Sequence, residues 1–165
     1  MNDFRNHEHS GGCQCGAVRY HATKLRANPH VCYCRMCQKA VSNFYAALVG
    51  VKHDDLAWTR GAPATFRSSE HVDRGFCRDC GTPLFYRNLN GSSIAMTIGS
   101  LDTPHLVPIL YEMGNESRHP ALPYIEGAKQ MGTTDEADGA ETVAAIARSN
   151  HQHPDHDTAP WPPTE

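Results

Sequence analysis

Gly12-Cys13-Gln14-Cys15-Gly16-Ala17-Val18-Arg19-Tyr20 sets two cysteines one residue apart on a turn and then runs into a strand. Val18, Tyr20 and Ala22 alternate with Arg19 and His21, the period-two pattern of a half-buried strand. Cysteines so spaced aim their sulfurs at one point, which suits a tetrahedral Zn²⁺ with Zn–S bonds of about 2.3 Å. The chain holds seven cysteines, and the remaining five fall in Cys32-x-Cys34-x-x-Cys37 and Cys77-x-x-Cys80. Sulfur chemistry is therefore the place to begin.

Cys13, Cys15, Cys77 and Cys80 supply four thiolates, the complement of a closed structural zinc site. Joining them closes a loop of about 60 residues, so the site ties a first strand to a distant turn and removes chain entropy from the unfolded state. Gly16 and Gly81 each follow a cysteine directly, where a residue able to take positive φ lets backbone amides approach the sulfurs. Cys32, Cys34 and Cys37 offer only three thiolates. Three protein ligands plus one exchangeable position is the usual arrangement of catalytic zinc, and an open zinc favours the thiolate form of a small bound thiol. The competing reading is a closed site completed by His30, His53, His71, His105 or His119.

Either CxxC pair alone also has the spacing of a dithiol redox couple. Such a pair normally opens a helix within a βαβ unit, whereas the surroundings here read as strand and turn. A secreted disulfide framework fits poorly, since the short spacings would close strained loops and an odd thiol would remain. Arg35, Lys39 and Arg87 are candidates to meet an anionic ligand near the second site, or are solvated side chains.

Working outward, Arg35 to Val41 reads as a helical turn and Phe44 to Val51 as a buried strand, with shorter strands at Leu56–Trp58 and Thr65–Arg67. Pro83–Leu89 and Ser93–Ile98 flank Asn90-Gly91, a pair whose access to positive φ predicts a tight hairpin. A further strand is expected over Ile109–Met113. The organisation expected is a polar leader over 1–10, a zinc-binding domain over 11–126, and an acidic, His/Pro-rich extension over 127–165. In that extension, acids precede a short helix near Val143–Arg148, as the helix dipole favours. His151, His153 and His156 then read as part of a solvated tail or as an extra metal site, and Trp161 is the natural anchor should the tail dock.

The 165 residues fit one domain, and a hydrophobic share of 39% predicts a modest core that metal clips would reinforce. A formal charge of -3 without any Lys/Arg run leaves no footprint for nucleic acid. The first ten residues contain no apolar signal region, and no stretch approaches the roughly 18 apolar residues of a membrane span. A soluble, cytoplasmic protein without a membrane or nucleic-acid partner is expected.

Gly12–Tyr20, Cys32-Tyr33-Cys34-Arg35-Met36-Cys37-Gln38-Lys39 and Gly75-Phe76-Cys77-Arg78-Asp79-Cys80-Gly81-Thr82 together resemble the glutathione-dependent formaldehyde-activating enzyme family, which includes centromere protein V. The resemblance covers roughly residues 11 to 120. It implies a mainly β fold of tent-like sheets built around a structural zinc, with a second zinc on Cys32, Cys34 and Cys37 as the catalytic centre. It further implies a carbon–sulfur lyase of the S-(hydroxymethyl)glutathione synthase type, whose partner is a small thiol such as glutathione or its formaldehyde adduct. Tyr33 departs from the family's usual His between the first two cysteines, replacing an imidazole with a phenol that can still donate a hydrogen bond. The alternative from another class is a non-catalytic scaffold with two zincs that binds a protein partner.

Overall fold

The computed structural model describes residues 3–160. Its elements in chain order are β1 (His9–Gly12), β2 (Arg19–Ala22), β3 (His30–Cys32), α1 (Arg35–Val41), β4 (Ala46–Lys52), β5 (Leu56–Arg60), β6 (Ala64–Ser69), β7 (Val72–Phe76), β8 (Pro83–Asn88), β9 (Ser93–Thr97), β10 (Tyr111–Met113), α2 (Thr134–Asp138) and α3 (Ala140–Arg148). The protein is mainly β, with short helices toward the C-terminus, as expected. One sheet has the order β1-β2-β5 and the other β10-β3-β4-β9-β8-β7-β6.

The alternation read at Val18, Tyr20 and Ala22 buries these side chains completely or nearly so. They meet Val49, Val51, Leu84, Phe85 and Met96 from the larger sheet in one core. The Tyr20 hydroxyl, wholly inside, is satisfied by Ser100 Oγ at 2.8 Å, and its ring meets Trp58 edge-on at 5.8 Å. The Asn90-Gly91 hairpin joins β8 to β9, with Phe85 opposite Met96 and Arg87 opposite Ile94.

β1, β3 and β7 escaped the sequence pattern for separate physical reasons. β1 reads His-Ser-Gly-Gly and has almost no side chains with which to alternate, although His9 is buried and its Nε2 bonds the Phe4 carbonyl at 2.8 Å. β3 is three residues squeezed between Pro29 and the cysteine turn. β7 hides a charge: Asp73 is buried and faces Arg67 on β6 and Arg87 on β8 across the ladder. Its carboxylate receives Arg67 Nε at 2.7 Å and Arg87 Nη2 at 2.6 Å. A buried carboxylate is tolerable when two guanidinium groups compensate it.

The strand expected over Phe44–Val51 begins two residues late because Ser42 takes a left-handed conformation (φ 52°) at the end of α1, which delays re-entry to the sheet. The strand expected over Ile109–Met113 is shortened to β10, and the preceding Leu110 N–H instead bonds the Pro29 carbonyl at 2.9 Å. β10 lies parallel to β3, pairing Tyr111 with His30 and Met113 with Cys32.

The expected helix near Val143–Arg148 is α3, preceded by α2 with a capping box between Thr133 and Glu136. Beyond it the chain returns to the body. His153 is buried, its N–H donates to the Gln14 carbonyl at 2.7 Å, and its Nε2 lies 3.0 Å from Thr158 Oγ1. Arg19, itself buried and paired bidentately with Asp102, also binds Asp157 at 2.7 Å. Trp161, the expected anchor, lies outside the described residues.

Hydrogen bonding from Arg87, with Arg67 adding its charge, holds the Asp73 carboxyl below its ordinary value of 3.8. A depressed folded-state pKa stabilises above 3.8 and is lost as pH falls through the lower folded value. Asp73→Asn should therefore destabilise the protein at neutral pH, and the gap to the unmutated chain should narrow below pH about 4. Urea melts across the acid range check this; a gap constant with pH would contradict it.

Candidate metal centres

The first centre forms where two turns meet. Cys13 and Cys15 sit between β1 and β2, and Cys77 and Cys80 between β7 and β8. Gly16 (φ 74°) and Gly81 (φ 77°) take the left-handed conformation that brings each turn back after its cysteines. The four sulfurs lie within 4.8 Å of one another, with Cys13–Cys15 at 3.6 Å and Cys15–Cys77 at 3.8 Å. Four sulfurs about 2.3 Å from a central ion stand about 3.8 Å apart at tetrahedral vertices, so this donor set fits zinc.

Backbone and hydroxyl groups prepare the quartet for negative charge. Val18 N–H donates to Cys13 Sγ at 3.2 Å. Thr82 Oγ1 accepts from Gln14 N–H at 3.0 Å, which leaves the hydroxyl proton for Cys80 Sγ at 3.1 Å. Burial resists ionisation of Cys80, yet the Thr82 hydroxyl and backbone bring its thiol down to about 6. Burial pushes Cys15 up to about 12, against a backbone hydrogen bond from Ala17.

The second centre gathers Cys32 from the end of β3, Cys34 from the turn, and Cys37 from α1, again with sulfurs within 4.8 Å. Cys32 Sγ and Cys34 Sγ are 3.5 Å apart, which fits two vertices of a zinc tetrahedron. Burial opposes charge on Cys34, but the backbone of Cys37 and the sulfur of Cys32 hold its thiol below the ordinary value. Burial pushes Cys32 up to about 12 despite a backbone hydrogen bond from Cys34.

Three contacts fix this turn. The Tyr33 N–H donates to the Met113 carbonyl at 2.8 Å, continuing the β3–β10 ladder. Gln38 is buried and its amide donates to the carbonyls of Tyr33 at 2.7 Å and Ser117 at 2.8 Å. Gly114 (φ 73°) passes so close that a Cβ there would lie 2.5 Å from the Cys34 nitrogen. Tyr33 itself turns away from the sulfurs, buried with its hydroxyl donating to Glu112 Oε1 at 3.0 Å and its ring beneath Arg118.

The trio opens on a cleft of about 1140 Å³ whose walls include His30, His71, Arg74, Tyr86, Tyr111 and Met113. Among the histidines considered as a fourth ligand, His30 and His71 border this cleft, while His53 bonds Gly91 and His119 stacks on Phe44. Among the described residues no His, Asp, Glu or further Cys joins the three sulfurs within 4.8 Å. Among the described residues none of the tail histidines enters such a cluster.

The cation beside the trio is one that sequence reasoning missed. Arg74 Nη2 lies 3.6 Å from Cys37 Sγ, Arg74 Nε donates to Ser68 Oγ at 3.3 Å, and the guanidinium covers the Tyr86 ring at 5.2 Å. Two of the three candidates named from sequence are engaged elsewhere, Arg35 with Gln38 at 3.3 Å and Arg87 with Asp73, while Lys39 lines a neighbouring cavity. Arg74 is 37 residues from Cys37, and only the pairing of β7 with β8 and the placing of α1 over the sheet reveal it.

A mainly β fold carrying a quartet and a trio of converging sulfurs defines a class of small proteins organised around cysteine-lined metal centres. The family model for glutathione-dependent formaldehyde-activating enzyme matches residues 8–113, and the chain belongs to that family. An "uncharacterized lyase" of Schizosaccharomyces pombe is 26% identical over 86 residues, which covers 52% of this chain and 62% of that relative. A crystal structure of a Rhodobacter sphaeroides protein shares the fold with a TM-score of 0.51 at 23% identity, over 63% of this chain and 98% of that one. No helix among the described residues is long and apolar enough to cross a membrane.

Cys80→Ser should remove one metal equivalent and unfold the domain, whereas Cys34→Ser should remove one equivalent and leave the melting temperature within a few degrees. Metal analysis paired with thermal melts separates the two centres; equal melting losses would refute the division. Gly114→Ala should cost more than about 1 kcal/mol, since φ 73° is left-handed and the added carbon meets Cys34 backbone. A chemical melt with an unshifted midpoint would contradict it.

Proposed function

We propose that the chain is a lyase acting on the carbon–sulfur bond of a small thiol–aldehyde adduct, with Cys32, Cys34 and Cys37 holding zinc as the catalytic centre and the quartet holding a structural zinc. The observation that carries this reading is the location of the trio: three converging sulfurs form part of the wall of a cleft large enough for a small organic ligand. Membership in the formaldehyde-activating family makes S-(hydroxymethyl)glutathione the reference adduct on which to assay this reaction, with glutathione and formaldehyde as its products.

Charge arithmetic supports Arg74 as part of the centre. Three thiolates and one Zn²⁺ leave a net charge of about -1, which the adjacent guanidinium offsets without closing the cleft. Zinc, when bound, supplies a Lewis-acid position that favours the thiolate form of a departing sulfur. His30 is suited to move the proton. Its Nδ1 donates to the Asn28 carbonyl at 2.8 Å, so Nε2 of the neutral ring is the acceptor, and the ring borders the cleft.

In this scheme the adduct's hydroxyl proton passes to His30 Nε2, and the O–H electron pair becomes the carbonyl π bond. The carbon–sulfur bond breaks, its pair stays on sulfur, and the thiolate recovers the proton from the imidazolium. The aldehyde leaves as the second product, so atoms and charge balance. Tyr33 takes no part, because its hydroxyl is committed to Glu112.

Cobalt substitution tests the open centre. Added 2-mercaptoethanol should change the visible spectrum of the doubly loaded protein, and Cys34→Ser should abolish that change; a silent spectrum favours the non-catalytic scaffold. His30→Gln should lower the rate of formaldehyde release from S-(hydroxymethyl)glutathione by roughly a hundredfold or more, with thiol binding retained. An unchanged rate would remove His30 from the scheme.

A further inference from the structure

The metal cleft does not end at the cysteines. A second cavity of about 450 Å³ adjoins it, and the two share Met36, Leu48, Ser68, Arg74 and Tyr86 as common walls. Strand register explains the shared boundary. Phe66 on β6, Arg74 on β7 and Tyr86 on β8 are directly opposite one another across the ladder, so they stand in a row on one face. The adjacent row, Arg67, Asp73 and Arg87, points to the other face.

The far cavity is apolar in character. α1, which carries Cys37, also presents Met36 and Ala40 to it, four residues apart on one helix face. Val41, Leu48, Phe66 and Phe85 add further apolar side chains to its wall. None of its lining residues is a carboxylate, and its charged members are Arg74 at the junction and Lys39. Met36 and Phe66 are 70% and 62% exposed, so two large apolar side chains are held in water at this cavity. That arrangement is unfavourable unless something apolar covers them.

We propose that the substrate is bipartite, with its sulfur–carbon group beside Cys32, Cys34 and Cys37 and an alkyl or aryl arm in the adjoining cavity beyond Arg74. The occupant follows from continuity: a ligand whose sulfur lies in the cleft reaches the cavity past the shared walls without leaving the protein surface. This inference rests on the lyase reading and deepens it, since it assigns the thiol half an apolar arm rather than the charged arms of glutathione.

The test titrates cobalt-loaded protein with ethanethiol, 1-butanethiol, 1-hexanethiol and glutathione, following the visible spectrum. Affinity should rise about fourfold per methylene, the equivalent of burying one CH₂, and 1-hexanethiol should bind more tightly than glutathione. Phe66→Ser and Met36→Ser, both at exposed positions, should retain two cobalt ions and flatten the chain-length dependence. If ethanethiol perturbs the spectrum but affinity is independent of chain length, or if the dependence survives both substitutions, the apolar subsite is wrong and the lyase reading stands. If no thiol perturbs the spectrum, the lyase reading fails and this inference with it.

Discussion

Seven sulfurs must converge at two points, and that requirement governs the rest of the molecule. Thiols separated by 3.5–3.8 Å inside a protein repel one another once ionised, so they need either protons or a cation between them. The fold meets this need in the same way at both places. Each cluster contains one sulfur favoured to carry charge, Cys80 or Cys34, because nearby N–H and O–H groups donate toward it. Each also contains a sulfur that burial keeps protonated until a cation takes over, Cys15 or Cys32.

The two centres differ in what surrounds them. The quartet binds β1–β2 to the turn after β7, and the returning chain at His153 packs against Gln14 within the same turn. Its geometry is enclosed by chain from three parts of the sequence. The trio is held by β10, Gly114 and Gln38, and it opens on the cleft whose walls β10 and Gly114 help to form. A saturated donor set at the braced site and an incomplete one at the open site is the contrast on which the proposed division into structural and catalytic zinc rests.

Tyr33 illustrates how position in a motif differs from position in space. Between two clustered cysteines it stands where the family usually has His, and in sequence it reads as a phenol able to donate a hydrogen bond there. In a strand, however, successive side chains leave on opposite faces, and Tyr33 extends the β3 ladder through its bond to Met113. Its ring therefore lies with Glu112, Tyr45 and Arg118 on the side away from the cleft. Arg74 shows the reverse case, remote in sequence and adjacent in space.

Sequence alone determined the hairpin at Asn90-Gly91, the core face of β2 and the grouping of the cysteines, since each depends on spacing within a few residues of the chain, while the mainly β class followed from the resemblance carried by the three cysteine motifs. The short strands β1, β3 and β7 were not legible, because glycines, a proline or a compensated charge erased the alternation by which strands are read. Tertiary structure alone decided that β10 would pair in parallel with β3, that Gly114 would press against Cys34, and that Phe66, Arg74 and Tyr86 would form one row beside the trio. Ligand identity is a local property of side-chain chemistry, whereas the shape and polarity of the space in front of a ligand are set by residues that only strand register and helix packing bring together.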